Sequence, residues 1–121
     1  MADVVLDANV IIGVLDAQDS LHEAAKGVLA TLVQRGSNQV LLDAMVGEAV
    51  SVLCRRAAQR KSAPPDLSGI LQRVRAWYEA GQISFIQGTI EVHFSAILGE
   101  VEKAEGKLNF NDALLVVLQR A

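Results

Sequence analysis

Short apolar runs alternate along this chain with longer stretches in which apolar residues return every third or fourth position. Val4-Val5-Leu6 is a brief β-branched run, read as a buried strand that stops at Asp7. After Ser20, the residues Leu21, Ala24, Ala25, Val28, Leu29, Leu32 and Val33 keep helical spacing until Gly36. This predicts a helix capped by Ser20, with that stripe inward and the glycine at its end. Val40-Leu41-Leu42 predicts a second strand, and the helix after it turns Val46, Ala49, Val50, Leu53 and Ala57 inward. The breakers in Ser62-Ala63-Pro64-Pro65-Asp66 separate it from a helix whose stripe is Leu67, Ile70, Leu71, Val74, Trp77 and Tyr78. Ile83 to Ile86 reads as a third strand. Thr89 can cap a helix carrying Ile90, Phe94, Ile97, Leu98 and Val101, with Gly106 past its end. The last helix starts near Phe110.

Strands alternating with helices argue for βαβ units and hence an α/β fold on a parallel sheet. Helices outnumber strands, so pairs of helices are expected between some of them. No repeat, low-complexity tract or linker divides residues 1–121, which read as a single domain. Three strands make a thin sheet for so many helices, and the final stretch from Asp112 to Ala121 carries no stop signal. The expectation is a domain incomplete at its C-terminus, with the final strand or strands missing.

Composition narrows the function. Hydrophobic residues make up 51% and charged residues 21%, a globular balance, while aromatics are only 4%, so the core must be largely aliphatic. Cys54 is the single cysteine, which precludes an internal disulfide and suits a reducing compartment. Without a signal-like N-terminus or a membrane-length apolar run, a cytoplasmic location with no membrane partner is expected. The net charge of -3 counts against passive nucleic-acid binding, which normally needs a basic surface. It counts less against a metallonuclease, where bound cations offset clustered carboxylates.

Three acidic residues stand in similar places. Asp7 follows the first strand, where ligand sites form in open α/β sheets, although it is also a good N-cap for the next helical turn. Glu48 lies about one turn into the helix after the second strand. It reads either as an inward-margin carboxylate needing a partner or as a solvated glutamate favoured by the helix dipole. Asp112 opens the last helix, with Asn109 and Asn111 available to cap in its stead. Strand ends and helix starts converge on one edge of a parallel sheet. Carboxylates gathered there repel unless a cation joins them, and oxygen donors suit Mg²⁺ or Mn²⁺ rather than zinc. Such ions activate water for attack on a phosphodiester.

The segments Leu6-Asp7-Ala8-Asn9-Val10, Val46-Gly47-Glu48-Ala49 and Phe110-Asn111-Asp112-Ala113-Leu114 resemble, in order and spacing, the three motifs of PIN domains. With His22-Glu23-Ala24-Ala25 in the first long helix, the chain is similar to bacterial VapC-type toxins. The resemblance implies a PIN-like three-layer sandwich and a pocket binding Mg²⁺ or Mn²⁺. It also implies cleavage of single-stranded RNA, a cognate antitoxin partner and a homodimer. Carried over by motif, Asp7, Glu48 and Asp112 would be the catalytic, metal-binding carboxylates, with Asn9 orienting Asp7 or a metal-bound water. A further acid that PIN domains usually carry after the third-motif helix has no counterpart before Ala121, and the corresponding strand would flank the first one. The alternative is a non-catalytic PIN-like module that binds RNA or protein through an incomplete acidic pocket.

Other residues are read more plainly. Arg55 lies close to the Glu48 face and either meets an RNA phosphate or belongs, with Arg56, Arg60 and Lys61, to a solvated helix end. His22 and His93 lack ligand spacing and read as structural. Cys54 reads as a small core residue, and Trp77 and Tyr78 as packing or a dimer surface. Asp16 and Asp19 read as turn or cap residues, as does Asp43, which is also placed to support the site.

Overall fold

In a computed structural model that describes residues 3–85 and 88–120 (the last without the side chains of residues 88, 89, 119 and 120), the apolar runs pair as parallel strands. The elements are β1 (Asp3–Val5), α1 (Ala8–Leu15), α2 (His22–Gln34), β2 (Asn38–Leu42), α3 (Asp43–Gln59), α4 (Leu67–Glu79), β3 (Ile83–Ser84), α5 (Gly88–Lys103) and α6 (Phe110–Arg120). The sheet runs β1-β2-β3, with Val4 opposite Gln39 and Leu41 opposite Ile83. Helix pairs fill the connections, so the α/β architecture and its paired crossovers are as the periodicity implied. The expected third strand stops short at Ser84. Ile86 lies outside the described residues, and so does any capping by the Thr89 side chain.

α3 forms the centre. Val46, Ala49, Val50 and Leu53 have no exposed surface, and the helix packs on α1, α4, α6 and β2. α4 packs on α3 and α5 packs on α4 and α6, with Leu71, Val74, Phe94, Ile97, Leu98 and Val101 of their inward stripes fully buried. Few as they are, the aromatics are concentrated. Tyr78, Phe85 and Phe110 each place their ring 5.2–5.9 Å from that of Phe94, tying α4, the end of β3, α5 and α6 together. Tyr78 is therefore packing, and the aliphatic core has one aromatic node.

Turn chemistry decides where helices stop. Gly36 has φ +66° and Gly106 φ +80°, left-handed conformations that terminate α2 and α5 at little steric cost. At the other end of α2 the expectation fails. Its N-cap position is Leu21, and Asp19, not Ser20, satisfies the start: its Oδ2 accepts the Leu21 N–H at 3.1 Å and its carbonyl accepts that of His22. A carboxylate fixed by an arginine outcompetes the serine for that turn. Gly13 lets α1 and α2 meet closely, since a Cβ there would stand 2.8 Å from the Ala25 Cβ. His22 Nδ1 lies 2.6 Å from the Gly13 carbonyl, so His22 fastens the same contact, a structural role.

Two burial expectations are corrected. β1 is exposed, half-buried, exposed along its length, with Val5 52% accessible, because it forms an edge of the sheet and is covered on one face only. The α2 stripe is likewise mostly outside: Ala25 is its only fully buried member, while Leu21, Val28 and Val33 face solvent. Periodicity marks an apolar face but not whether another element covers it.

Arg56 and Arg60 are not a solvated helix end. Arg56 Nη1 donates to Asp16 Oδ2 at 2.9 Å and to Asp19 Oδ1 at 2.8 Å, and Arg60 Nη2 lies 3.4 Å from Asp16. Asp16 is 2% exposed; its other oxygen accepts the Gln18 N–H. The backbone bond and the two guanidiniums hold its carboxyl below the usual range, against the opposing effect of burial. The turn reading of Asp16 and Asp19 was half of the matter; they also pin the α1–α2 turn to the far end of α3.

Candidate active site

Each of the three predicted acids stands on its own element, Asp7 after β1, Glu48 in α3 and Asp112 in α6. β1 ends at Val5, the Leu6 N–H donates to the Val40 carbonyl at 3.0 Å, and Asp7 follows in extended conformation with ψ 153°. Asp7 occupies the N-cap position of α1, and its carbonyl receives the Val10 and Ile11 N–H groups. Its side chain makes no capping hydrogen bond and stays exposed. The capping role that would have explained an aspartate here is therefore not what the carboxylate does. Asn9, expected to orient Asp7, is exposed on the first turn of α1, and no hydrogen bond joins the two.

β2 passes directly into α3, so Asp43 and Glu48 follow the carboxyl end of that strand. Glu48 is exposed although Gly47 and Ala49 beside it are buried, so it sits on the margin of the apolar face. It lines a cavity of about 440 Å³ together with Asp43, Ser51 and Arg55 of α3 and Asn111 of α6. Asp43 is 1% exposed and its Oδ1 accepts the Ala44 N–H at 2.9 Å. It thus supports the start of α3 beside the cavity.

α6 meets α3 where Phe110 lies against Gly47; a Cβ at position 47 would meet the ring at 3.1 Å. The start of α6 is capped by Asn109, whose Oδ1 accepts the Asp112 N–H at 2.9 Å. Asp112 is exposed, and its carboxylate has no part in that cap. As with Asp7, the structural duty belongs to another group.

The three carboxylates are thus not brought into one cluster. Asp7 and Asp112 do not line the cavity that holds Glu48. Among the described residues no group of three or more His, Cys, Asp or Glu side chains could hold a metal ion. The donor chemistry fits a hard divalent cation, being carboxylate oxygens unused in ion pairs among the described residues. A closed ligand cage is not required for such an ion, since Mg²⁺ keeps several waters and is held by one or two carboxylates plus substrate phosphates.

Sequence reasoning passed over Ser51. It is 6% exposed, lines the cavity, and its Oγ is buried without a hydrogen-bond partner. The available signal was spacing: Asp43, Gly47, Ser51 and Arg55 recur every fourth residue, and Ser51 is the polar interruption of an apolar helix face. Cys54, next to Arg55, is 1% exposed, and burial pushes its thiol up to about 11, so it is core and not a nucleophile.

Compared with known proteins, residues 4–120 match the family profile described as PIN domain. Neither curated proteins nor solved structures gave a match.

Proposed function

The chain belongs to the PIN-domain family, whose members are generally nucleases using divalent metal ions, and on that premise we propose that it is a metal-dependent endoribonuclease acting on single-stranded RNA. The observation that carries the reading is the unemployed state of its candidate carboxylates. Asp7 stands at an N-cap position without capping, and Asn109 relieves Asp112 of that duty. In this reading Asp7, Glu48 and Asp112 hold Mg²⁺ or Mn²⁺, with Asn9 in support. The ion, when bound, lowers the pKa of a water and neutralises charge on the phosphoryl oxygens. The protein's own part in this reading is to leave these exposed carboxylates, Glu48 among them at the cavity, free of structural duty and open to a phosphodiester.

We further propose the VapC-type role: a toxin whose cognate antitoxin covers these carboxylates, working as a homodimer in the cytoplasm. No helix among the described residues is long and apolar enough to cross a membrane. The non-catalytic alternative, an RNA- or protein-binding module, has one observation in its favour, the absence of a gathered acidic triad among the described residues. Metal dependence separates the two. A mixed RNA pool is incubated with the protein in Mn²⁺, in EDTA, and in Mn²⁺ with Asp7→Asn, the fold of each protein being checked by circular dichroism. Cleavage only in the first tube supports the nuclease. Cleavage that survives EDTA or the substitution removes Asp7 and the ion from the mechanism, and no cleavage by folded protein leaves the binding module.

A further inference from the structure

Asp43, Gly47, Ser51 and Arg55 form one ridge of α3, and all four line the 440 Å³ cavity beside Glu48. Ala44 and Gly47 keep the ridge low, and Phe110, Asn111 and Leu114 of α6 form the facing wall. The cavity is therefore a groove that starts at the head of α3 and runs outward along it. At about 1.5 Å per residue, Arg55 lies roughly 10 Å beyond Glu48 along the helix axis. That separation suits contacts to successive groups of one strand.

Two polar groups of this groove have no hydrogen-bond or ion-pair partner among the described residues. The Ser51 hydroxyl is buried without a partner, where an alanine would pack as well with no polar atom to desolvate. Arg55 is exposed and makes no ion pair among the described residues, whereas Arg56 and Arg60 are held by Asp16 and Asp19. We infer that the groove is a nucleotide subsite. It takes the nucleotide next to the scissile phosphate, with the base edge hydrogen-bonded by Ser51 Oγ and the Asn111 carboxamide and a flanking phosphate on Arg55. Hydroxyl and carboxamide both donate and accept, as base edges do, and a guanidinium matches phosphate oxygens. Phe110, Leu114 and Ile90 supply apolar surface for the ring, the usual surroundings of an unstacked RNA base. The net charge of -3 leaves little general attraction for RNA, so selectivity has to come from local contacts of this kind.

The inference rests on the ribonuclease reading for where cleavage falls, but not for binding, and the test keeps the two apart. Fluorescence anisotropy is measured on labelled single-stranded hexaribonucleotide pools, each fixed in base at one position, in EDTA and in Ca²⁺. Wild type, Ser51→Ala and Arg55→Ala are compared. The wild type prefers one base at one position, and Ser51→Ala levels that preference by about five- to tenfold, the weight of one hydrogen bond. Arg55→Ala weakens every pool alike and lowers the salt slope by about one. A preference unchanged in Ser51→Ala, neutral behaviour of Arg55→Ala, or no binding in either buffer overturns the subsite. Cleavage mapping in Mn²⁺ on the same proteins completes the separation. Selective binding without any cleavage retains the groove and sinks the ribonuclease, while cleavage with an unaltered base preference in Ser51→Ala retains the ribonuclease and sinks the groove.

Discussion

Replacing Arg56 by alanine tests how much of the domain depends on one buried charge. Arg56 donates to Asp16 at 2.9 Å and Asp19 at 2.8 Å, and the two carboxylate side chains are 1% and 10% exposed. Removing one partner of a fully buried pair costs about 3–5 kcal/mol. Three features reduce that figure here: Arg56 is itself 30% exposed, Arg60 remains 3.4 Å from Asp16, and the Gln18 N–H stays bonded. The expected loss at pH 7 is about 2–3 kcal/mol, lowering Tm by roughly 8–12 °C for a domain of this size. Urea unfolding followed by circular dichroism measures it. The pH dependence gives a second, independent check. Asp16 has its carboxyl lowered in the folded state from an ordinary 3.8, so its stabilisation is present above 3.8 and fades as pH falls through the lower folded value. The gap between wild type and Arg56→Ala should therefore narrow below pH 3.8. A loss under about 0.5 kcal/mol at pH 7, the range of ordinary surface substitutions, would refute the assignment of a structural ion pair. So would a gap that does not change with pH.

Asp7→Asn separates site from scaffold: because the carboxylate makes no capping bond, thermal stability should stay within about 0.5 kcal/mol of wild type while RNA cleavage is lost. A large drop in Tm would show that Asp7 serves the fold after all. Gly27→Ala, with nothing within 4 Å of the added Cβ, should stabilise α2 by about 1 kcal/mol. Gly47→Ala gains the same propensity but drives its Cβ to 3.1 Å from the Phe110 ring, and crowding of about 1–3 kcal/mol makes it neutral to destabilising. Chemical denaturation of both, side by side, fails the packing argument if the two variants are equally stabilised. Cys54, buried with its thiol raised to about 11, should react with a thiol reagent at pH 7.5 only as fast as the protein opens, which labelling rates with and without urea will report.

Element types, the paired helices between parallel strands, and the positions of Asp7, Glu48 and Asp112 at strand ends and helix starts were all legible along the chain. They follow from local rules: β-branched runs, helical spacing, glycine at helix ends, and the geometry of parallel sheets. The core stripes of α3, α4 and α5 were read correctly because each is covered by elements that the same spacing predicts. What spacing does not encode is which neighbour arrives. The apolar stripe of α2 and the valines of β1 look like core in sequence and are largely solvent-facing, since no described element packs over Val28, Val33 or Val5. Arg56 and Arg60 look like a solvated helix end, and Asp16 like a turn residue. Only the approach of residues forty positions apart turns them into one buried ion pair. The same holds at the site. Sequence supplied the carboxylates, but Phe110 seating on Gly47, and the cavity that Glu48, Ser51 and Arg55 line with residues of α6, arise from contacts between distant segments. Contacts of that kind depend on the relative placement of whole helices, and that placement is settled by the packing of the entire core.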